Sequence, residues 1–220
     1  MFDYGNVGAS SYPDVNWDDA SLQESRALYF RFKRVLDILC ALVFLPLMIS
    51  IGAALLVLNL FFNRGPLLYV QKRMGRNCRA FPAIKFRTMR TATQIVRGAD
   101  DPLEVHRITR LGWLLRKTRL DELPQILNVL RGDMSMIGPR PDYFHHARRY
   151  ARVIPGYRAR HVVRPGISGL AQVDLGYAAG IDATAAKVAA DLHYIQHAGY
   201  RLDTLIFWRT LVTVVTGRGA

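Results

Sequence analysis

The dominant hydrophobic pattern is a run of 28 positions, Val35 to Phe62, interrupted only by Asp37, Pro46, Ser50, Gly52 and Asn59. A helix needs about 20 apolar residues to cross a bilayer, so the run is long enough to be embedded in a membrane. Basic residues lie on both sides, Arg31, Lys33 and Arg34 before it and Arg64, Lys72, Arg73, Arg76 and Arg79 after it. Such residues stay on the cytoplasmic side, and one straight crossing would strand one of the two clusters. Pro46, near the middle, removes a backbone donor and crowds the carbonyl of Leu42. The pattern therefore predicts a re-entrant helix-break-helix over residues 29–64, broken at Pro46 and confined to one leaflet. A Pro-kinked helix that spans the bilayer is the competing reading. Residues 1–28 lack helical periodicity and read as a poorly ordered polar tail.

Past the run the period changes. Pro66 to Gln71 and Phe81 to Met89 read as extended segments around a basic turn, and Lys85 and Arg87 fall on one side of the second at period two. Two such cations usually mark a solvated edge, and they equally suit a phosphate. Thr91 to Val105 is polar, a surface loop or short helix, and Ile108 to Arg119 is an amphipathic basic helix carrying Arg116. Leu123, Ile126, Leu127 and Leu130 follow the i, i+3, i+4, i+7 spacing of a helix face, and Pro124 belongs in a first turn, so this helix is expected to start close to Asp121. Val163 to Val173 is rich in turn residues. Ala185 to Gln196 reads as a helix with Asp191 and Tyr194 at i, i+3. Leu202 to Val215 is apolar but short for a crossing, an interfacial or core helix. The fold class expected is α+β, mainly helical. A re-entrant N-terminal membrane helix precedes an interface-associated cytoplasmic domain over residues 65–220, with amphipathic helices and a small β-element.

Charge narrows the partners. The 220 residues carry a net charge of +13, and residues 1–26 carry −4 of it, leaving +17 for the rest. Such a surface attracts nucleic acid, an anionic membrane or a phosphorylated substrate. The bilayer-length run, and the lack of any recognisable nucleic-acid motif, count against nucleic acid. Tyr143 to Arg160 interleaves cations with aromatics, a pattern suited to lipid headgroups and equally to an ordinary solvated face. Cys40 and Cys78 have no metal-ligand spacing and suggest a reducing compartment.

The candidate chemistry gathers at Thr118 to Pro141. Asp121 and Glu122 stand at a helix start, where free N–H groups and the dipole keep a carboxylate charged, as a nucleophile or metal ligand requires. Asp before a helix is very often only a cap. The density of phosphate-seeking side chains elsewhere, Lys85, Arg87, Arg116, Arg119, Arg140 and Arg164, shifts the balance toward a site for a diphosphate and its metal.

In order, the basic-flanked apolar run with its proline, KFRTM (85–89), LDELPQ (120–125), GDMSMIGPRP (132–141), RPGISGLAQV (164–173) and DLHYI (191–195) resemble the bacterial sugar transferases called small monotopic phosphoglycosyl transferases. The likeness covers roughly residues 29–217. It implies transfer of a sugar 1-phosphate from a UDP-sugar to polyprenyl (undecaprenyl) phosphate, the initiating membrane step of surface glycan or exopolysaccharide synthesis. It also implies Mg2+, Asp121 as the nucleophile of a covalent phosphosugar intermediate, UMP as the first product, and Glu122 as partner through the metal. Lys85, Arg116, Arg140, Arg164 and Asp191 resemble family site positions, and Arg87 and Tyr194 complete the candidate substrate-binding set. The implied location is the cytoplasmic face of the bacterial inner membrane, with a homodimer compatible with the exposed apolar surface.

This chain departs from the family in three places. Leu45 stands where many members have Ser before the proline, Asp174-Leu175-Gly176-Tyr177 replaces an Asn-Gly-Arg-like turn, and His193 precedes Tyr194 where others show two tyrosines. The sugar therefore stays open. Larger relatives carry a multi-span N-terminal region, and this chain reads as the minimal catalytic form. A non-enzymatic basic membrane adaptor is the alternative, and it leaves Asp121-Glu122 and the Gly-Pro-Arg-Pro turn unexplained.

Overall fold

A computed structural model describes residues 20–63, 65–91, 104–175 and 180–217, with side chains from residue 27 onward. Its first element, α1 (Ala20–Phe62), is one helix of 43 residues that contains Pro46. The helix-break-helix expected at Pro46 is not present as an interruption, because every residue between Ala20 and Phe62 is helical. A proline bends a helix without having to interrupt it, and Ser50 Oγ donates to the Pro46 carbonyl one turn on, at 3.0 Å. The helix also begins inside the stretch read as a tail, whose residues 1–19 lie outside the described ones.

Tyr29, Lys33, Asp37, Ala41, Leu55 and Asn59 are buried along one stripe of α1, completed between Ala41 and Leu55 by Phe44, Met48 and Ile51. The spacing of three to four keeps them on one face. The other faces expose Phe32, Val35, Leu39, Val43, Leu56 and Phe61. In its most apolar 18-residue window only 17% is buried, so the helix is not the core of a soluble body.

The expected extended segments form an antiparallel hairpin, β1 (Leu68–Met74) and β2 (Ala80–Phe86), in register from Leu68↔Phe86 to Met74↔Ala80. Phe81 and Ala83 of β2 share a core cluster with Ala41 of α1, and Phe86 shares another with Leu55. Next come α2 (Arg110–Lys117), capped by Thr109 Oγ1 accepting from Gly112 N at 2.9 Å, and α3 (Gln125–Arg131), stopped by Gly132 at φ 94°. The side chain of Asn128 on α3 pairs with β2 as a further strand would, accepting from Ile84 N at 3.0 Å and donating to Pro82 O at 2.7 Å. Most of the polar stretch 91–105 lies outside the described residues.

A short parallel pair, β3 (Ser135–Ile137) and β4 (Gly166–Ser168), brings together the Gly-Pro-Arg-Pro turn and the Arg-Pro-Gly turn. Gly138 N donates to Ser168 O at 2.8 Å and Gly166 N to Pro139 O at 3.0 Å. A Cβ on Gly166 would overlap the backbone of Gly138. Gly166→Ala is therefore expected to cost about 1–3 kcal/mol by overpacking, read as a lowered unfolding midpoint in detergent.

The remaining helices, α4 (Phe144–Val153), α5 (Leu170–Asp174), α6 (Ile181–Gln196) and α7 (Tyr200–Val215), enclose a second core around Tyr150, Tyr157, Leu170, Val188 and Ile206. The basic-aromatic stretch is thus only half a surface. His145, Arg148, Arg149, Arg152 and Arg158 are exposed, while Tyr150, Tyr157, Arg160 and His161 are buried. On α7, Leu205, Trp208, Val212 and Val215 form an exposed apolar stripe.

Both ends of the apolar run are fastened to this body. Asp203 accepts from Tyr29 Oη and Lys33 Nζ, each at 2.7 Å, and Asp37 Oδ1 accepts from Met136 N at 3.1 Å. At the far end Asn63 Nδ2 donates to Arg87 O at 3.2 Å, and the Arg87 guanidinium returns bonds to the carbonyls of Asn63 and Pro66.

Candidate active site

Between α2 and α3 the chain turns sharply. Arg119 adopts a left-handed conformation at φ 55°, and Leu120–Glu122 form a single 3-10 turn. The α-helix starts at Gln125 rather than near Asp121, because this turn and Pro124 occupy the intervening positions. The turn sends two adjacent carboxylates inward, with Asp121 8% and Glu122 5% exposed.

The two have opposite surroundings. Glu122 Oε1 accepts from Lys85 Nζ at 2.5 Å, and Arg140 grips both carboxylate oxygens with its fork, Nη1 to Oε2 at 3.0 Å. Burial pushes the Glu122 carboxyl up, but the charges and hydrogen bonds of Arg140 and Lys85 outweigh it and hold the group well below the usual carboxylate range. Among the described residues, no side chain donates a hydrogen bond to Asp121. Burial there exceeds the opposing pull of Lys85, Arg140 and Arg116, and its carboxyl is pushed up to about 6. Burial likewise brings Lys85 down to about 8, against the opposing pull of Glu122. At neutral pH the site thus holds a locked Glu122 and, beside it, an ionised Asp121 open to an incoming group. Arg116 Nε donates to Thr88 Oγ1 at 3.0 Å, so it is held between α2 and the end of the hairpin.

Of the residues expected at the site, Asp121, Glu122, Lys85, Arg116 and Arg140 come together. Four lie elsewhere. Arg87 clasps the end of α1. Arg164 Nε donates to Gly132 O at 2.9 Å, capping α3. Tyr194 Oη donates to Asp203 at 2.8 Å, in the knot that fastens the start of α1. Asp191 meets Arg160 Nη2 at 2.6 Å. Pro46 is a helical residue of α1. Two cations near the site went unmarked in the sequence. Arg73, read only as a flank of the membrane run, donates from Nη1 to Pro141 O at 2.5 Å. Arg160, read as part of a basic surface, donates from Nη2 to Arg140 O at 2.8 Å.

A metal would have little protein to hold it. Among the described residues no group of three His, Cys, Asp or Glu side chains is arranged for an ion. Glu122 is saturated by cations, which leaves Asp121 as the open oxygen ligand. Mg2+ is commonly held by one or two carboxylates with water and substrate phosphates supplying the rest, so this donor set fits an Mg2+ that arrives with a diphosphate.

The sequence profile described as "Bacterial sugar transferase" matches residues 28–217. Over 198 residues the chain is 43% identical to a UDP-N-acetylgalactosamine-undecaprenyl-phosphate N-acetylgalactosaminephosphotransferase of Aeromonas hydrophila, covering 88% of this chain and 46% of that protein. It is 40% identical over 206 residues to the exopolysaccharide production protein PSS of Rhizobium leguminosarum bv. phaseoli, covering 85% of this chain and 97% of that one. A UDP-glucose:undecaprenyl-phosphate glucose-1-phosphate transferase of Caulobacter vibrioides is 39% identical over 196 residues, covering 84% and 70%. The chain thus spans less than half of the first relative and nearly all of the second. With the profile running from before the apolar segment to just past α7, the chain belongs to the bacterial sugar transferase family.

Proposed function

We propose that this chain transfers a sugar 1-phosphate from a UDP-sugar to undecaprenyl phosphate, through a covalent intermediate on Asp121. The observation that carries the reading is the contrast at the site: Glu122 is locked by Lys85 and Arg140, while its neighbour Asp121 is buried, ionised at neutral pH and, among the described residues, takes no side-chain hydrogen bond. The substrates named for the relatives supply the substrate classes.

In the first step an Asp121 carboxylate oxygen attacks the sugar-bearing phosphorus. The P–O bond to the nucleotide breaks, and UMP leaves with that oxygen. In the second, an oxygen of undecaprenyl phosphate attacks the same phosphorus. The bond to Asp121 breaks, which restores the carboxylate and gives the lipid diphosphate sugar. Lys85, Arg116 and Arg140 face the charge that builds on the transferring phosphoryl group. Bound Mg2+ would supply neutralisation of the diphosphate, held through Asp121. Glu122 keeps Lys85 protonated and the Arg140 fork aimed.

The anchor reading extends to one leaflet of the cytoplasmic membrane, on its cytoplasmic face. Lys33 and Asp37 at the start of the apolar run and Asn63 just past its end grip the same body, whereas a crossing would part them. The exposed stripe of α7, together with Trp113 and Leu114 of α2, suits the headgroup level.

The test is UMP release from a panel of UDP-sugars by detergent-purified chain with Mg2+ and undecaprenyl phosphate, with intact mass recorded when lipid is omitted. The expected result is lipid-dependent turnover with one donor, and a mass gain of one sugar phosphate without lipid. Turnover with no covalent species, and no UMP before lipid is added, would overturn the two-step scheme. The pH profile has a defined sign. The rate of the first step rises through about 6 as Asp121 loses its proton and falls above about 8 as Lys85 loses its own, giving a bell.

A further inference from the structure

Behind Arg140 lies an ionic cluster, buried at Arg160 and Asp191 and half-buried at Asp142, that the transfer chemistry leaves unused. Arg160, on the 3-10 turn Ala159–His161, is 3% exposed. Its Nη1 donates to Asp142 Oδ2 at 2.5 Å, and its Nη2 meets Asp191 Oδ2 at 2.6 Å. The same Nη2 donates to the Arg140 carbonyl at 2.8 Å, and Tyr157 Oη donates to Asp142 Oδ2 at 2.7 Å. Two more bonds follow along the chain, Arg73 Nη1 to Pro141 O at 2.5 Å and Met74 N to Asp142 O at 3.0 Å. Three consecutive carbonyls, those of Arg140, Pro141 and Asp142, are therefore pinned from behind. The Arg140 side chain reaches forward from this pinned segment to Glu122.

A buried pair of charges such as Arg160 and Asp191 is costly compared with an apolar core of the same volume, so its presence calls for a role beyond filling space. A planar fork with five donors can join two carboxylates and a carbonyl at once, which a lysine cannot. Among the described residues, this cluster reaches the site through the Arg140 carbonyl.

We propose that Arg160 is a positioning residue: clamped between Asp142 and Asp191, it fixes the backbone of Arg140 and keeps that side chain aimed at Glu122 and the reacting diphosphate. Asp191 then acts through Arg160 and makes no contact with substrate. The inference rests on the transferase reading of the site.

A double-mutant cycle on the full chain tests it, with Arg160→Gln, Arg140→Gln and both together, following UMP release. Arg160→Gln is expected to lower kcat by roughly 100-fold, the scale of a misplaced catalytic group, with KM for the donor little changed. On the Arg140→Gln background the same change is expected to cost less than about 3-fold, because the group it positions is gone. An undiminished loss on that background would overturn the proposal and leave Arg160 a general support of the fold. Should Arg160→Gln fail to fold, Asp191→Asn, which keeps shape and removes one jaw of the clamp, enters the same cycle with the same expectation. A second readout does not depend on turnover. In 15N spectra of arginine side chains, the Arg140 Nε–H signal is expected to be that of an ordered group in the wild type and of a mobile one in Arg160→Gln or Asp191→Asn. An unchanged Arg140 signal overturns the clamp whether or not any UDP-sugar is consumed, and absent turnover with a responding signal counts against the transferase reading alone.

Discussion

Asp121→Asn is expected to reduce UMP release by roughly 10⁴-fold or more while leaving the protein as stable as before or slightly more so. The size follows from the proposed role of Asp121, since an amide in its place cannot form the covalent bond, and losses of this order accompany removal of nucleophiles in other enzymes. The stability half follows from the site itself. Asp121 is buried, its carboxyl is raised to about 6, and among the described residues no side chain donates a hydrogen bond to it. Its ionised form is paid for by the rest of the fold, so a neutral amide of the same shape relieves a cost. Kinetics of UMP release and thermal unfolding of the two proteins in the same detergent give both numbers. A variant that turns over like the wild type removes Asp121 from the chemistry, and one that loses activity together with several degrees of unfolding midpoint makes it a structural residue.

Local patterns were readable where one residue period rules a segment. The apolar run, both hairpin strands, and the helices of α2, α6 and α7 follow from spacing alone, because an amphipathic or uniformly apolar stretch has one way to bury its face. Turns between elements were less legible. The left-handed Arg119 and the 3-10 turn at Leu120–Glu122 carry no glycine to announce them, and they moved the helix start from Asp121 to Gln125. At the site, Lys85 and Arg140 could be picked from their residue type and setting, and the structure brings both to Glu122. Arg87 could not be told apart from Lys85, since both alternate on the same strand edge. Arg87 lies one residue past β2, where its guanidinium meets the carbonyls of Asn63 and Pro66 just beyond α1. Asp191 and Tyr194 share a helix face, yet one serves Arg160 and the other Asp203, partners set by tertiary packing that no local spacing encodes. Arg160 was hidden for the same reason: an arginine among exposed arginines looks like surface until its two carboxylates arrive from distant segments.

Glu122→Gln carries the second large effect, and it differs in kind from the first. Gln keeps the shape but presents a neutral amide to Arg140, which stays charged, and to Lys85, which loses the charge that favours its protonated form. Breaking a buried pair from one side costs about 3–5 kcal/mol, because the remaining charge is left uncompensated. The cost depends on pH with a definite sign. The folded Glu122 carboxyl lies well below its ordinary value of 4.5, so its contribution is complete above that value and fades as the pH falls toward the folded one. The variant should therefore be most destabilised near neutrality and approach the wild type in acid. Catalysis is expected to fall by roughly 10²–10³-fold, the loss that follows when a preorganised charge is no longer held in place. The bell also changes shape. Glu122 is the main influence that raises the Lys85 amine against its burial, so its removal moves the alkaline limb below about 8, toward neutral pH. Adding Lys85→Met to Glu122→Gln should recover part of the lost stability, since it removes a buried amine left without its carboxylate, without recovering activity. Urea unfolding across pH and the rate profile of the two variants read these outcomes. An alkaline limb that stays in place in Glu122→Gln would show that Lys85 does not depend on Glu122 for its charge, and would remove the lock from the account of the site.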